Sequence, residues 1–201
     1  MLLSNMEILH SDDGIVVCVK PVGMDSEHQL PEALKEALGG EIFPLHRLDQ
    51  NVGGVMIYAR NKKVAAALSR AIQDGSMVKE YVAMVHGTPP ESGDWTDLLF
   101  KDSRTNKVFV VKKQRAGVKS ARLEYRLLQS GESSLVAIRL HTGRSHQIRV
   151  QFSSRGFPLV GDHKYGSRAA QTAPMLYSCR LTFPHMGKTQ VFEHYPSWGN
   201  L

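Results

Sequence analysis

Apolar residues in this chain come in short runs separated by polar turns, and most runs carry the two-residue period of strands. Gly14 to Lys20 (Gly-Ile-Val-Val-Cys-Val-Lys) predicts a buried strand, ended by Pro21 and Gly23. Pro31 to Leu38 suits a short helix, with proline in its first turn and Gly39 past its end. Val55 to Arg60 predicts another strand. Asn61 then caps a helix to Gln73, with Val64, Leu68 and Ile72 on one face and Gly75 near its stop. Four further strands are expected at 77–86, 107–112, 120–128 and 134–141. In the third, Ala121, Leu123, Tyr125 and Leu127 face inward while Arg122, Glu124 and Arg126 face outward. Arg144 to Arg155 reads as a helix with Ile148 and Phe152 as its apolar stripe, closed by Gly156. Met175 to Phe183 and Thr189 to Tyr195 predict a terminal hairpin across Pro184-His185-Met186-Gly187. Many strands, few helices and no regular βαβ alternation indicate an α+β fold with a mostly antiparallel sheet. No linker, low-complexity tract or repeat interrupts the chain, so a single domain over 1–201 is expected.

Composition adds two things. The 201 residues are 42% hydrophobic and 22% charged, ordinary for a globular protein, and no apolar run approaches a membrane span. The first residues show no basic region followed by a long apolar core, so no secretory signal is expected, and the two cysteines, Cys18 and Cys179, lie far apart among strand-like residues. Buried, reduced thiols in a cytoplasmic protein are expected. The formal charge of +6 is unevenly spread. Residues 101–126 hold nine Lys or Arg against Asp102 and Glu124, a local +7, leaving −1 for the remainder. Such a segment suits a polyanion, most plausibly nucleic acid, or else serves as a solvated strand face.

Two segments carry candidate chemistry. His46-Arg47-Leu48-Asp49 precedes the Val55 strand, and Thr142-Gly143-Arg144-Ser145-His146-Gln147-Ile148-Arg149-Val150 follows about a hundred residues later. A carboxylate at Asp49 can act as nucleophile toward a sugar carbon, general base or metal ligand, or simply bond its own turn. Arg47 and Arg149 can hold it ionised or bind phosphate. The Thr142-Gly143 turn can direct backbone N–H groups toward an anion. Tyr81 alternates with Ala83 and Val85, as a core tyrosine would; a functional tyrosine there would stack on a base and assist proton transfer. His46, His86, His141 and His146 form no recognised metal-ligand spacing, and Asn51-Val52-Gly53-Gly54 lacks phosphate-loop spacing.

These segments, in this order, resemble the RluA family of RNA pseudouridine synthases. The resemblance rests on His-Arg-Leu-Asp at 46–49, Lys-x-Tyr-x-Ala at 79–83 and Thr-Gly-Arg-x-His-Gln-Ile-Arg at 142–149. It continues through Gly156-Phe157-Pro158-Leu159-Val160-Gly161-Asp162 to Tyr165-Gly166, and covers nearly the whole chain. It implies a pseudouridine synthase catalytic fold: a long mixed, largely antiparallel sheet with flanking helices and a central active-site cleft. By position it assigns Asp49, Tyr81 and Arg149 to catalysis. Arg47 would fill the space left by a flipped nucleotide. His46, Arg144, Lys112, Lys113 and Arg115 would bind RNA, with Ile148 and Val150 walling the base pocket or packing the core. It implies isomerisation of uridine in a ribosomal or transfer RNA stem-loop, by a cytoplasmic monomer with no metal or other cofactor. A separate S4 domain is not expected, so the catalytic domain would hold the RNA. Val52-Gly53-Gly54 departs from the usual Thr-Ser-Gly and removes two hydroxyls. The competing readings are a non-catalytic RNA-binding protein and a nucleoside-cleaving hydrolase.

Overall fold

The computed structural model describes residues 6–199. The chain divides into two compact units, one of Met1–Lys79 with Tyr177–Leu201 and the other of Glu80–Leu176.

In the first unit, β1 (Glu7–Ser11), β2 (Ile15–Lys20), β4 (Gly53–Ala59), β10 (Leu176–His185) and β11 (Lys188–Glu193) are neighbours in that order. A two-residue β3 (Phe43–Pro44) also pairs with β4. Pairing is antiparallel except where β10 meets β4, at Tyr177↔Gly53 and Ser178↔Gly54. That contact needs glycine. Gly54 has φ +125°, and a Cβ there would lie 2.2 Å from the Ser178 carbonyl oxygen. Ile15 to Cys18 and all of β4 are buried, which accounts for their unbroken apolar runs.

Helix α2 (Lys62–Gln73) begins where expected, because Asn61 is extended and its side-chain oxygen accepts the Val64 N–H at 2.9 Å. Leu68 and Ala71 join a buried cluster with Ile15, Val17, Val55, Ile57, Met77, Leu181 and Phe183. Helix α1 (Gln29–Leu38) starts two residues before Pro31, since Asp25 already organises the entry by accepting the Glu27 and His28 N–H groups. Pro31 remains in the first turn, where its missing N–H costs nothing. The β10–β11 turn places Met186 (φ 51°) and Gly187 (φ 73°) in left-handed conformations, as a two-residue hairpin requires.

In the second unit, β5 (Val78–His86), β9 (Ser133–Leu140), β8 (Val118–Gln129), β6 (Ser92–Asp102) and β7 (Lys107–Val111) are neighbours in that order. Strand β6 has no counterpart in the sequence reading: of its eleven residues only Leu99 is buried, so its apolar signal is weak. Ala121, Leu123 and Tyr125 are buried as expected, but Leu127 is only partly so. A register shift between Leu127 and Gln129 ends the alternation. Helix α3 is shorter than expected, Gln147–Ser153, because His146 sits in the left-handed region (φ 51°) and stops it. Its residues Gln147 to Phe152 are all buried, so α3 has no solvated stripe. Both cysteines are buried and neither is in a disulfide, and burial raises the Cys18 thiol to about 12.

Candidate active site

The Asp49 turn is held on one side by buried Ser26 and Tyr58 and from beneath by buried Lys20. Ser26, 1% exposed, donates from Oγ to the Leu48 carbonyl at 3.0 Å and accepts the Leu48 N–H at 3.2 Å. Tyr58 donates its hydroxyl to the Ser26 carbonyl at 2.7 Å, tying that clamp to β4. On the other side, Gln50 and Gly23 exchange hydrogen bonds of 2.8 and 2.9 Å. Lys20 is wholly buried, and its ammonium donates to the carbonyls of Pro21, Met24 and Gln50 at 3.0, 2.7 and 3.1 Å. Burial lowers it to about 8, and the charges of Asp25 and Asp49 pull it partly back. Asp49 is half-buried, and its carbonyl accepts the Val52 N–H at 2.9 Å. A half-exposed carboxylate on a turn braced from both sides has the rigidity that chemistry at a substrate atom demands.

His46, expected among the RNA contacts, has its ring engaged inside the protein. Its Nε2 accepts the Ile57 N–H at 3.3 Å, which leaves the proton on Nδ1, a buried atom without a hydrogen-bond partner. Burial, with the Lys79 charge nearby, depresses the ring to about 3. It is therefore a neutral strut between the turn and β4, with one N–H left over. Arg47 is exposed, and its 3.5 Å pairing with Glu27, both side chains nearly half exposed, is readily exchanged for another anion.

The second unit carries the other expected residues. Tyr81 is 5% exposed on β5. Arg149 is buried and makes a bidentate pair with Asp162, Nε to Oδ2 at 2.6 Å and Nη2 to Oδ1 at 2.9 Å. Its guanidinium lies 5.1 Å from the Tyr165 ring centroid. The Tyr165 hydroxyl accepts the Val108 N–H at 2.9 Å and pairs with His146 Nδ1 at 2.8 Å. The anion-binding turn expected at Thr142-Gly143 is occupied from within. Gln147 Oε1 accepts both the Arg144 N–H and the Thr142 hydroxyl, at 3.0 and 2.8 Å. Arg144 is exposed and donates from Nε to the Ser120 carbonyl. Lys112, Lys113 and Arg115 are exposed. Ile148 is buried, and Val150 packs in a cluster with Leu99, Val108, Ala121 and Tyr165.

Sequence reasoning gave no role to Lys20, Ser26 or Asp162. The available signals were a lysine ending an apolar strand at Lys20-Pro21 and an acid in the Gly161-Asp162 segment.

Among the described residues no helix is long and apolar enough to cross a membrane. The sequence pattern of the RNA pseudouridylate synthase family matches residues 14–154, so this chain belongs to that family. The chain is 34% identical over 178 residues to the ribosomal large subunit pseudouridine synthase D of Borreliella burgdorferi, covering 79% of this chain and 54% of that protein. To the dual-specificity RNA pseudouridine synthase RluA of Salmonella typhi it is 31% identical over 200 residues, covering 92% and 91%. The fold is that of the human RNA pseudouridylate synthase domain containing 1, with TM-score 0.84 at 22% identity over 96% of this chain and 84% of that one. The chain spans about half the length of the first curated relatives it matches.

Proposed function

We propose that the chain isomerises a uridine in structured RNA to pseudouridine, with ribosomal or transfer RNA as the substrate class. The observation that carries this reading is the Asp49 turn, an acid presented on a loop clamped by Ser26, Lys20 and Gln50 in a chain of this family. The target base is flipped out of its stack, at a cost of a few kcal/mol offset by contacts in the pocket. Asp49 either attacks C1′, breaking its bond to uracil N1, or removes a sugar proton so that the same bond breaks. The detached uracil turns and bonds to C1′ through C5, which releases the Asp49 carboxylate in the first route and is accompanied by return of the sugar proton in the second. Loss of the C5 proton, with Tyr81 assisting, and protonation of N1 complete an isomerisation with no net uptake of water. Arg149 is assigned to the reaction alongside Asp49, and Asp162 fixes its orientation. Arg47 occupies the position the base vacates, while Lys112, Lys113 and Arg115 contribute phosphate affinity.

Tritium release from RNA labelled at uridine C5 tests this. Wild-type protein should release tritium and retain the base in the RNA, and Asp49→Asn should not. Free uracil would identify a hydrolase. Silence of the wild type on ribosomal and transfer RNA would favour a non-catalytic binder, and release by Asp49→Asn would refute the site.

A further inference from the structure

The β6–β7 ribbon has two unlike faces. Leu99 and Val108 point into the cluster with Ala121, Val150 and Tyr165 and are almost wholly buried. The opposite face follows from the alternation and the register: Phe100 is paired with Phe109 and Leu98 with Val111. Phe109 is 43% exposed there, on the face turned away from buried Leu99 and Val108. Cations attend both rings. The Lys107 ammonium is 5.7 Å from the Phe109 centroid, and the Arg115 guanidinium carbon is 4.6 Å from that of Phe100. Exposed Lys112 and Lys113 follow directly, and exposed Lys101 and Arg104 lie at the hairpin end. Asp102, the one acid of the hairpin tip, is spent internally: its carboxylate accepts the Arg104 N–H and the Thr105 hydroxyl.

We infer that this outer face is a stacking platform for unpaired RNA bases, with Phe109 as its exposed ring and Phe100 beside it. The inference rests on RNA as the substrate, as proposed above, and adds which nucleotides the face takes. Lysine and arginine alone would serve any phosphate backbone, paired or not. An exposed aromatic ring is useful only to a base free to leave its helix, and it accepts any of the four because each has a π face. The local charge of +7 over residues 101–126 selects a polyanion over an acidic-poor protein surface. Nucleotides flanking the modified uridine in a loop are such bases.

Fluorescence anisotropy with two labelled RNAs tests the platform: a stem-loop with an unpaired uridine loop, and a blunt duplex of equal length. Phe109→Ala and Phe109→Leu should each weaken stem-loop binding about tenfold and leave duplex binding unchanged. Leucine retains apolar volume, so a loss shared by both variants reads stacking rather than packing. Phe109→Trp should bind at wild-type strength, and its added indole fluorescence should be quenched by the stem-loop. The salt slope should be that of wild type in all three. Wild-type stem-loop affinity in Phe109→Ala and Phe109→Leu, as a protein-docking face would give, overturns the inference. So do equal losses on the two RNAs, or an indole that the stem-loop leaves unquenched. Binding is read without turnover, so failure here leaves the proposed isomerisation standing, and an inactive protein that still discriminates loop from duplex keeps the platform.

Discussion

Arg149 and Asp162 face each other through two parallel hydrogen bonds of 2.6 and 2.9 Å, with side chains only 9% and 1% exposed. The main chain of Asp162 is equally committed: its N–H donates to Leu159, and its carbonyl accepts from Tyr165 and Ser167. The guanidinium is thus gripped by an acid that cannot itself move, and the Tyr165 ring supports it from beside. A charge held in this way is set before any substrate arrives, which is the form of electrostatic help that costs no reorganisation during reaction.

Breaking that pair should be expensive in both stability and turnover. Asp162→Ala takes a bidentate partner away from a buried guanidinium, for a loss of about 3–5 kcal/mol in urea unfolding. The Arg149→Met/Asp162→Leu double variant should recover much of that loss while remaining inactive in tritium release. A double variant no more stable than Asp162→Ala would show that the pair is not the main term.

His46 gives a pH dependence of defined sign. Its folded value, about 3, lies below the ordinary 6.5, so between these limits the unfolded chain binds a proton that the native ring refuses. Stability should therefore fall as pH drops through this window and be unaffected by His46 at higher pH. His46→Gln, which can still accept the Ile57 N–H, should flatten this part of the curve. In nuclear magnetic resonance the wild-type ring should stay neutral, with its proton on Nδ1, across the range where a free histidine titrates.

Lys20 predicts a second window, on the alkaline side. Its folded value of about 8 is below the ordinary 10.5, so between them the native state has released a proton that the unfolded chain keeps. The stability of wild type relative to Lys20→Met should be flat up to about 8 and then move in favour of wild type as pH rises through the window. Because Lys20 also holds the Gln50 carbonyl beside Asp49, Lys20→Met should lower the rate on bound RNA more than it lowers RNA affinity. An equal effect on both would remove the positioning role.

The basic cluster should act on affinity alone. Replacing Lys112, Lys113 and Arg115 with glutamine should weaken RNA binding and reduce the log–log salt slope by about 2–3. Single-turnover rates with saturating RNA should stay close to wild type. An unchanged slope would place the phosphate contacts elsewhere.

Much of this protein could be read along the chain. The β2 and β4 runs, the Asn61 cap, the hairpin turn at Met186-Gly187 and the alternation of Ala121, Leu123 and Tyr125 all express interactions within a few residues. So does the sequence of motifs that places the chain in its family. Strand β6 escaped because most of its side chains are only half covered, and α3 was overextended because nothing local announces the left-handed His146. The roles of the polar residues were decided by tertiary structure. Lys20 looks like a strand end until three carbonyls from two turns close on it. The tautomer of His46 is unread until the Ile57 N–H claims Nε2, and Asp162 is one acid among many until α3 brings Arg149 to it. Periodicity and capping depend on neighbours in sequence. The charge, tautomer and orientation of a buried polar group depend on which distant partners arrive to replace water, and only the folded chain determines that.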